Sequence, residues 1–391
     1  MQYEAKNKRK IVVFTGNRAE YGLLNPVIKA LSEDPAFETT LIISGTHLSG
    51  DFGKTAGEID TSNLAAIREI VLEIPDTDTR TSMLLSVSDL IRTGVCMLKD
   101  ISPDCFVLAG DRYETFAMAL TSFYCNIPIA HIFGGDLSQG GHLDDSVRHS
   151  ITKLSHIHFT TNEDSFNRVL KLGEEPWRVF NVGTPVMDNV LGGNFAGPEE
   201  VSRELSLDLN RPMIIFTQHP VTTETDMAYE QAKESLEALK ALGCQTVITY
   251  PCNDAGSEHI IKAINEYEGV SYFRIRKSLG WRLYLGCLRV ASCVAGNSSS
   301  GLMETPIFKV PCVNIGTRQQ GRLRADNVID VSYDRNEISA ALQTALNDSA
   351  FIKQVQNCSN PYGQGGASKR IAHVLSTLPF DKKMLQKKMT Y

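Results

Sequence analysis

The sequence predicts an α/β fold of two doubly wound parallel-sheet halves facing a central cleft. Three observations predict it. Short β-branched runs alternate with longer segments of helical period, the runs are too apolar for strands with one wet face, and 391 residues exceed one ordinary domain. In chain order the first half carries expected strands at 11–15, 39–44, 105–109, 128–132 and 158–161, with another near 179–182. A second series is expected at 213–217, 246–250, 270–274, 290–295 and 313–315. Gly183-Thr184-Pro185 and the glycine- and proline-marked stretch at 192–198 break the pattern, which sets a boundary near 184–198. The expected division is 1–187 and 188–365. Ligands of such sheets bind outside the carboxyl ends of the strands, so the site is expected in the cleft. The tail, residues 381–391 with lysines at 382, 383, 387 and 388, reads as the solvated end of a helix.

Composition narrows the partners. Thirty-nine Lys and Arg against 45 Asp and Glu give a net charge of −6, which lacks the basic footprint of a duplex-binding protein and speaks against nucleic acid. No apolar run approaches the roughly 18 residues that span a bilayer. The basic start leads only into Ile11-Val12-Val13-Phe14, too short for a signal peptide. A cytoplasmic, membrane-free protein is expected. Its nine cysteines are odd in number, scattered and never spaced C-x-x-C, and read as reduced small hydrophobes rather than a disulfide framework or zinc site.

The chemistry-bearing residues fall at strand ends. The first strand runs into Gly16-Asn17-Arg18-Ala19-Glu20-Tyr21-Gly22, a strand-turn-helix junction without the G-x-G-x-x-G of dinucleotide folds. Arg18 at a helix N-terminus suits a phosphate, or equally a salt bridge to a neighbouring acid. Gly110-Asp111-Arg112 follows the strand at 105–109 and Gly134-Gly135-Asp136 the strand at 128–132. Either acid alone reads as a helix cap; two on neighbouring strands point to one catalytic rim. Next, Asp144 with Arg148 and Asp145 with His149 form i,i+4 pairs at a helix starting near 144. Five histidines at 131, 142, 149, 156 and 158 raise the question of metal, but none has the H-x-x-x-H spacing of a helical site, so no metal is expected.

In the second half, Gln218-His219-Pro220 ends a strand, where imidazole suits a phosphate oxygen or a satisfied core position. Gly296-Asn297-Ser298-Ser299-Ser300-Gly301 follows a strand and opens a helix, so backbone N–H groups and hydroxyls can wrap an anion. Glu304, about one helical turn on, suits ribose hydroxyls. Arg318, Arg322 and Arg324 lie just past the last expected strand, and Arg suits bidentate phosphate binding. No Walker pattern occurs.

On these motifs, together with Asp254-Ala255-Gly256-Ser257, Gly316-Thr317-Arg318-Gln319 and Asn360-Pro361-Tyr362-Gly363, the chain resembles the hydrolysing UDP-N-acetylglucosamine 2-epimerases from about residue 10 to 370. The resemblance implies a GT-B fold of two Rossmann-like domains, with residues 366–391 packing back on the first. It implies a UDP-sugar in the cleft, no cofactor or metal, and a homo-oligomer, dimer or tetramer. Carried across, Arg18, Arg112, His219, Ser298, Ser299, Ser300, Glu304 and Arg318 would contact the nucleotide. Asp111 and Asp144 would be catalytic carboxylates with Arg148 beside them. Phe133 stands where several relatives carry a catalytic Glu, which leaves Asp136 as its substitute; Cys252 stands where relatives often have Asn.

The expected reaction releases UDP from C1, removes the C2 proton to leave a glycal, and adds water at C1 with a proton returned to the other face of C2. UDP-N-acetylglucosamine would give N-acetylmannosamine for sialic acid synthesis. The alternative is the same reaction on a UDP-2,4-diacetamido-2,4,6-trideoxyhexose of the legionaminic acid pathway, for which the apolar Phe133 ring would suit a deoxygenated sugar. An inactive nucleotide-sugar sensor is the lesser alternative.

Overall fold

The computed structural model describes residues 8–49, 55–72, 79–138 and 143–391, apart from the side chains of residues 18, 19, 55 and 58. The first sheet is built from β1 (Arg9–Thr15), β2 (Phe37–Ser44), β3 (Ala66–Ile70), β4 (Cys105–Ala109), β5 (Ile129–Ile132), β6 (Ile157–Thr160) and β7 (Val179–Asn181), in the order β3-β2-β1-β4-β5-β6-β7. All of its pairings are parallel. The helices between these strands are α1 (Arg18–Glu33), α2 (Arg80–Ile101), α3 (Tyr113–Tyr124), α4 (Leu143–Leu154) and α5 (Glu163–Lys171). Helix α6 (Val186–Leu191) and α7 (Pro198–Leu205) lead into the second sheet.

That sheet comprises β8 (Met213–Thr217), β9 (Gln245–Thr249), β10 (Phe273–Arg276), β11 (Cys293–Gly296), β12 (Cys312–Ile315) and β13 (Val328–Val331), ordered β10-β9-β8-β11-β12-β13 and again wholly parallel. It is wrapped by α8 (Ala228–Leu242), α9 (Ser257–Asn265), α10 (Gly280–Val290), α11 (Ser300–Met303), α12 (Thr305–Phe308), α13 (Arg335–Asn347) and α14 (Ser349–Asn357). The central strands β4 and β8 are buried along their whole length, because helices cover both faces. Strand order reverses between β1 and β4 in one sheet and between β8 and β11 in the other. These reversals are where crevices open at the carboxyl ends of the strands.

The chain then returns. Helix α15 (Ala367–Thr377) packs on α1, with Arg9 donating to the carbonyls of Leu375 and Leu378 at 2.5 and 2.7 Å. The expected solvated helix at the tail is not found. Helix α16 (Lys382–Leu385) is one turn long, Met384 is fully buried, and Lys387 is drawn against the first domain by Glu174 at 2.7 Å. Two strands also lie outside the expected set, β3 and β13. Both are edge strands with mixed polarity, and Arg68 and Glu69 of β3 are exposed. The strand expected at 290–295 begins only at Cys293, since α10 runs on to Val290.

Helix α2 is long and apolar enough by length and composition to cross a membrane, contrary to the expectation from apolar runs. It carries Asp89 and Arg92, and it buries Ser82, Ser86, Leu90, Gly94 and Leu98 at four-residue spacing, the stripe of a packed surface helix. Its other side leaves Leu84 70% and Leu85 49% exposed.

Candidate active site

Both crevices deliver side chains to one cleft. In the first domain, Asp111 follows β4, and Arg148 sits on the second turn of α4 with its side chain only 1% exposed. Its guanidinium pairs with Asp111, donates to Asp145 Oδ1 at 2.5 Å, and reaches the Asp136 carbonyl at 2.9 Å. Burial, then the charges of Arg322, Arg318 and Arg168, push the Arg148 pKa down. The two carboxylates oppose them, and we take the guanidinium as charged on that geometry. The expected i,i+4 pairs do not form: Arg148 takes Asp145 at i−3, and Asp144 faces Arg318 across the cleft at 3.8 Å. The helix geometry permits both spacings, and the cleft supplies the better partner for Asp144.

Asp136 is 3% exposed and its carboxylate is occupied. Oxygen Oδ1 accepts from Thr161 Oγ1 at 2.9 Å and Ser165 Oγ at 2.7 Å, while Oδ2 faces Arg322 at 3.4 Å. That is the bonding of an anchor for a second-domain arginine. Phe133 lies in the left-handed region with φ 71° and is 4% exposed, in the apolar core under α1 and α15. A ring buried in that core gives no ground for a deoxygenated sugar. Residues 139–142, His142 among them, lie outside the described residues.

Three other histidines of that cluster, His131, His156 and His158, are explained by packing. His131 donates Nε2–H to the Gly110 carbonyl at 2.8 Å, His156 Nδ1 accepts from Ile129 N at 3.1 Å, and His158 pairs with Glu174 at 3.0 Å. Burial pushes the pKa of each down, to about 3, 3 and 4. Among the described residues, no group of three or more His, Cys, Asp or Glu is placed to hold a metal ion.

The second domain builds a phosphate-ready wall. Gly296 has φ 121°, and a Cβ there would lie 2.0 Å from the Thr217 carbonyl oxygen, so β11 turns into the serine loop only because this residue is glycine. Asn297 then becomes a hub that its position in the serine motif did not announce. It is fully buried, its Oδ1 accepts from His219 N at 2.6 Å, and its Nδ2 donates to the His219 carbonyl at 2.8 Å. Its own carbonyl accepts from Arg318 and Gln319 at 3.2 and 2.9 Å. One amide thus fixes His219 relative to Arg318. His219 Nδ1 accepts from Cys252 N at 3.2 Å, so in the neutral ring the proton is on Nε2, a donor suited to a phosphate oxygen.

Ser298, Ser299 and Ser300 line a cleft with His219, Glu304 and Trp281, and Gly22 and Leu23 of α1 close its far side. The helix opened by the loop is only four residues long. The Ser300 hydroxyl is already shared with Glu304 at 2.5 Å and Tyr284 at 2.6 Å, which leaves Ser298 and Ser299 as the hydroxyls toward a ligand. Burial raises the Glu304 pKa to about 7, against the hydrogen bond from Ser300. Arg18 opens α1 at the cleft, but its side chain lies outside the described residues. Arg112 has protein partners that its place in the motif did not announce. Four of its five N–H groups go to Glu114, Asp254 and Asn253, a clasp between the domains.

Two facing Rossmann-like domains, one carrying Asp111, Asp144 and Arg148 and the other an anion-ready loop, define a GT-B-type protein. The chain belongs to the UDP-N-acetylglucosamine 2-epimerase family, whose sequence model matches residues 29–376. It is 32% identical over 383 residues to the hydrolysing UDP-N,N'-diacetylbacillosamine 2-epimerase of Legionella pneumophila, covering 98% of this chain and 100% of that one. It is 34% identical over 356 residues to the polysialic acid biosynthesis protein P7 of Escherichia coli, covering 90% of each. The crystal structure of the Neisseria meningitidis UDP-GlcNAc 2-epimerase bound to UDP-GlcNAc shares the fold, with a TM-score of 0.79 at 21% identity over 94% of this chain and 99% of that one.

Proposed function

We propose that the protein is a hydrolysing UDP-N-acetylglucosamine 2-epimerase that releases UDP and N-acetylmannosamine. The observation that carries the reading is the meeting of Asp111, Asp144 and Arg148 from one domain with Arg318 from the other, whose guanidinium also donates to the carbonyl of Asn297, the residue that holds His219 and opens the serine loop. Loss of UDP from C1 places charge on the diphosphate. Preorganised donors oppose that charge at no reorganisation cost: His219 Nε2–H, Arg318, Ser298 and Ser299. Arg18, at the start of α1, is assigned to the same diphosphate. Departure of UDP makes the C2 proton acidic, and Asp111 and Asp144 exchange it as general base and acid. Arg148 orients Asp111 and Asp136 anchors Arg322. Glu304 accepts from the ribose. Arg112 assists the diphosphate by holding the cleft shut.

We take residues 1–187 as the first domain with 366–391 returned to it, and 188–365 as the second. The nine cysteines are free, in keeping with a reducing cytoplasm. Exposed apolar side chains on α2 and α3, Leu84 and Leu85 on one and the 80% exposed Tyr124 on the other, support self-association as a dimer.

An NMR time course with UDP-N-acetylglucosamine tests the reading by the appearance of UDP and free N-acetylmannosamine. Asp111→Asn, shown to remain folded, should lower UDP release by at least about a hundredfold, the scale of one general acid–base group; release at the wild-type rate would refute the assignment. The Legionella relative favours the second reading, a UDP-2,4-diacetamido-trideoxyhexose. Turnover of both nucleotides in one panel decides between them, and binding without free sugar would mark a sensor.

A further inference from the structure

We propose that the C-terminal tail is a positioning element of the active site, in which Lys387 anchors the C-terminal end of α4, the helix that carries Asp144 and Arg148. The inference rests on the site assigned above.

The last carbonyls of an α-helix have no partner within the helix, and a cation there is favoured by the helix dipole. Lys387 fills that role from more than two hundred residues away in the chain. Its Nζ donates to the carbonyls of Lys153 at 2.8 Å and Ser155 at 2.5 Å, with Thr152 at 3.5 Å. Glu174 holds it there at 2.7 Å, and the same carboxylate takes Lys153 at 2.6 Å and His158 at 3.0 Å. Glu174 is 1% exposed, so three donors converge on one buried charge and satisfy it.

The tail cannot slide along this anchor. Met384 is fully buried, and the buried Arg178 donates to the carbonyls of Met384 at 2.7 Å and Lys383 at 2.9 Å, while also reaching His156 O at 3.2 Å. Trp177 stacks on Arg178 at 4.1 Å and on Lys383 at 4.9 Å.

From the anchored end a short path leads to the catalytic groups. The Thr152 hydroxyl, on the last turn of α4, has a single proton to give and two acceptors within reach, the Arg148 carbonyl at 3.0 Å one turn back and His131 Nδ1 at 3.3 Å. A carbonyl can only accept, so His131 carries its proton on Nε2, toward Gly110 O, and presents Nδ1 as an acceptor to Thr152. Gly110 immediately precedes Asp111. The neutral, fully buried His131 is thus a strut between α4 and the β4 loop, the two segments that bring Arg148 to Asp111. Lys387 sets where α4 ends; His131 transmits that placement to the opposite carboxylate. The nucleotide wall belongs to the other domain and takes no part in the path.

The test is Lys387→Met in the full-length chain, which keeps the stem and removes the charge and the donors. Turnover of UDP-N-acetylglucosamine should fall in kcat by roughly ten- to a hundredfold, with KM within about twofold, since small misplacement costs chemistry rather than nucleotide binding. Lys387→Arg should restore kcat to within about threefold of wild type. Hydrogen exchange of the amides at 143–154 should speed up in Lys387→Met and not in Lys387→Arg. An unchanged kcat, an equal rise in KM, or unchanged exchange in α4 would overturn the proposal. Should Lys387→Met not fold, Glu174→Gln loosens the same anchor and must lower kcat at least about threefold at constant KM, or the proposal fails. Wild-type enzyme runs in the same assay: if it releases no UDP from either nucleotide, the functional reading falls, whereas the exchange measurement still judges the anchor.

Discussion

Glu20 shows how a buried carboxyl can be carried inside a binding domain. It is 5% exposed beneath the turn from β1 to α1, where its oxygens accept from Gly16 N at 2.7 Å and from the Thr115 hydroxyl. Burial, reinforced by Glu114, raises its pKa from 4.5 to about 7. A carboxyl whose folded pKa lies above its unfolded value binds an extra proton in the folded state. Stability therefore declines as pH rises from about 4.5 to about 7, by up to about 3 kcal/mol, and stays lowered above that. Glu20→Gln removes the ionisation and retains an acceptor for Gly16. Its urea midpoint should exceed that of wild type at pH 8 by more than it does at pH 5, and an equal gap at both would mean that Glu20 does not titrate in this range. The carboxylates at the cleft show a different limit of sequence spacing. Asp111, Asp144 and Arg148 were legible as candidates because each stands at a strand end or near a helix start. The contacts of Asp136 and Arg112 were not, because their partners, Arg322 and Asp254, come from the other domain. No local pattern announces a bond across 142 or 186 positions.

Elements were read from the sequence in proportion to their burial. The wholly buried β4 and β8 coincide with their expected spans, whereas the edge strands β3 and β13 were missed and β10 was expected three residues early. An edge strand keeps one face wet and mixes its side chains, so the apolar run that marks a central strand disappears. The serine loop was read as an anion cradle, which its geometry supports, yet Asn297 and the diversion of Ser300 to Glu304 required coordinates. The whole loop depends on the approach of Gly296 to β8, where Asn297 N donates to Thr217 O at 3.1 Å. Gly296→Ala introduces a Cβ 2.0 Å from that carbonyl oxygen at a φ of 121°. Its cost belongs with the larger single-residue effects, on the order of 3 kcal/mol or more. UDP affinity by calorimetry should fall at least about tenfold, because displacing Asn297 releases both His219 and Arg318. A variant that melts lower yet binds UDP normally would show that the loop finds its shape without the glycine.

At the scale of the molecule, the two domains meet through polar contacts that ring the cleft. Arg112 reaches Asp254 at 2.7 Å and Asn253 at 2.7 Å, Asn253 donates to Tyr113 OH at 3.0 Å, and Arg80 donates to Thr222 O at 2.7 Å. Arg318 and Arg322 face Asp144 and Asp136. Most of these arginines and acids belong to, or adjoin, the site itself, so closing the cleft and assembling the active site are one event. The Arg112–Asp254 pair is the strongest of them, with side chains only 13% and 10% exposed and Glu114 bracing the arginine from behind. Partial desolvation makes such a pair costly to break by removing one partner. The chain need not unfold to relieve that cost, since the cleft can open and both groups can regain water. Asp254→Ala should therefore leave thermal stability nearly unchanged while raising KM for the nucleotide sugar several-fold, with kcat at saturation close to wild type. Arg112→Ala should raise KM likewise, with a loss of thermal stability because it also strands the buried Glu114, and the double variant should raise KM no further than either single one, the non-additivity expected of groups acting through one contact. X-ray scattering supplies the structural half of the test: the ligand-free single variants should have a larger radius of gyration than wild type, and saturating UDP should bring them back to it. Variants as compact as wild type without ligand, or effects on KM that add, would mean that the clasp does not hold the cleft and that Arg112 acts on the nucleotide directly.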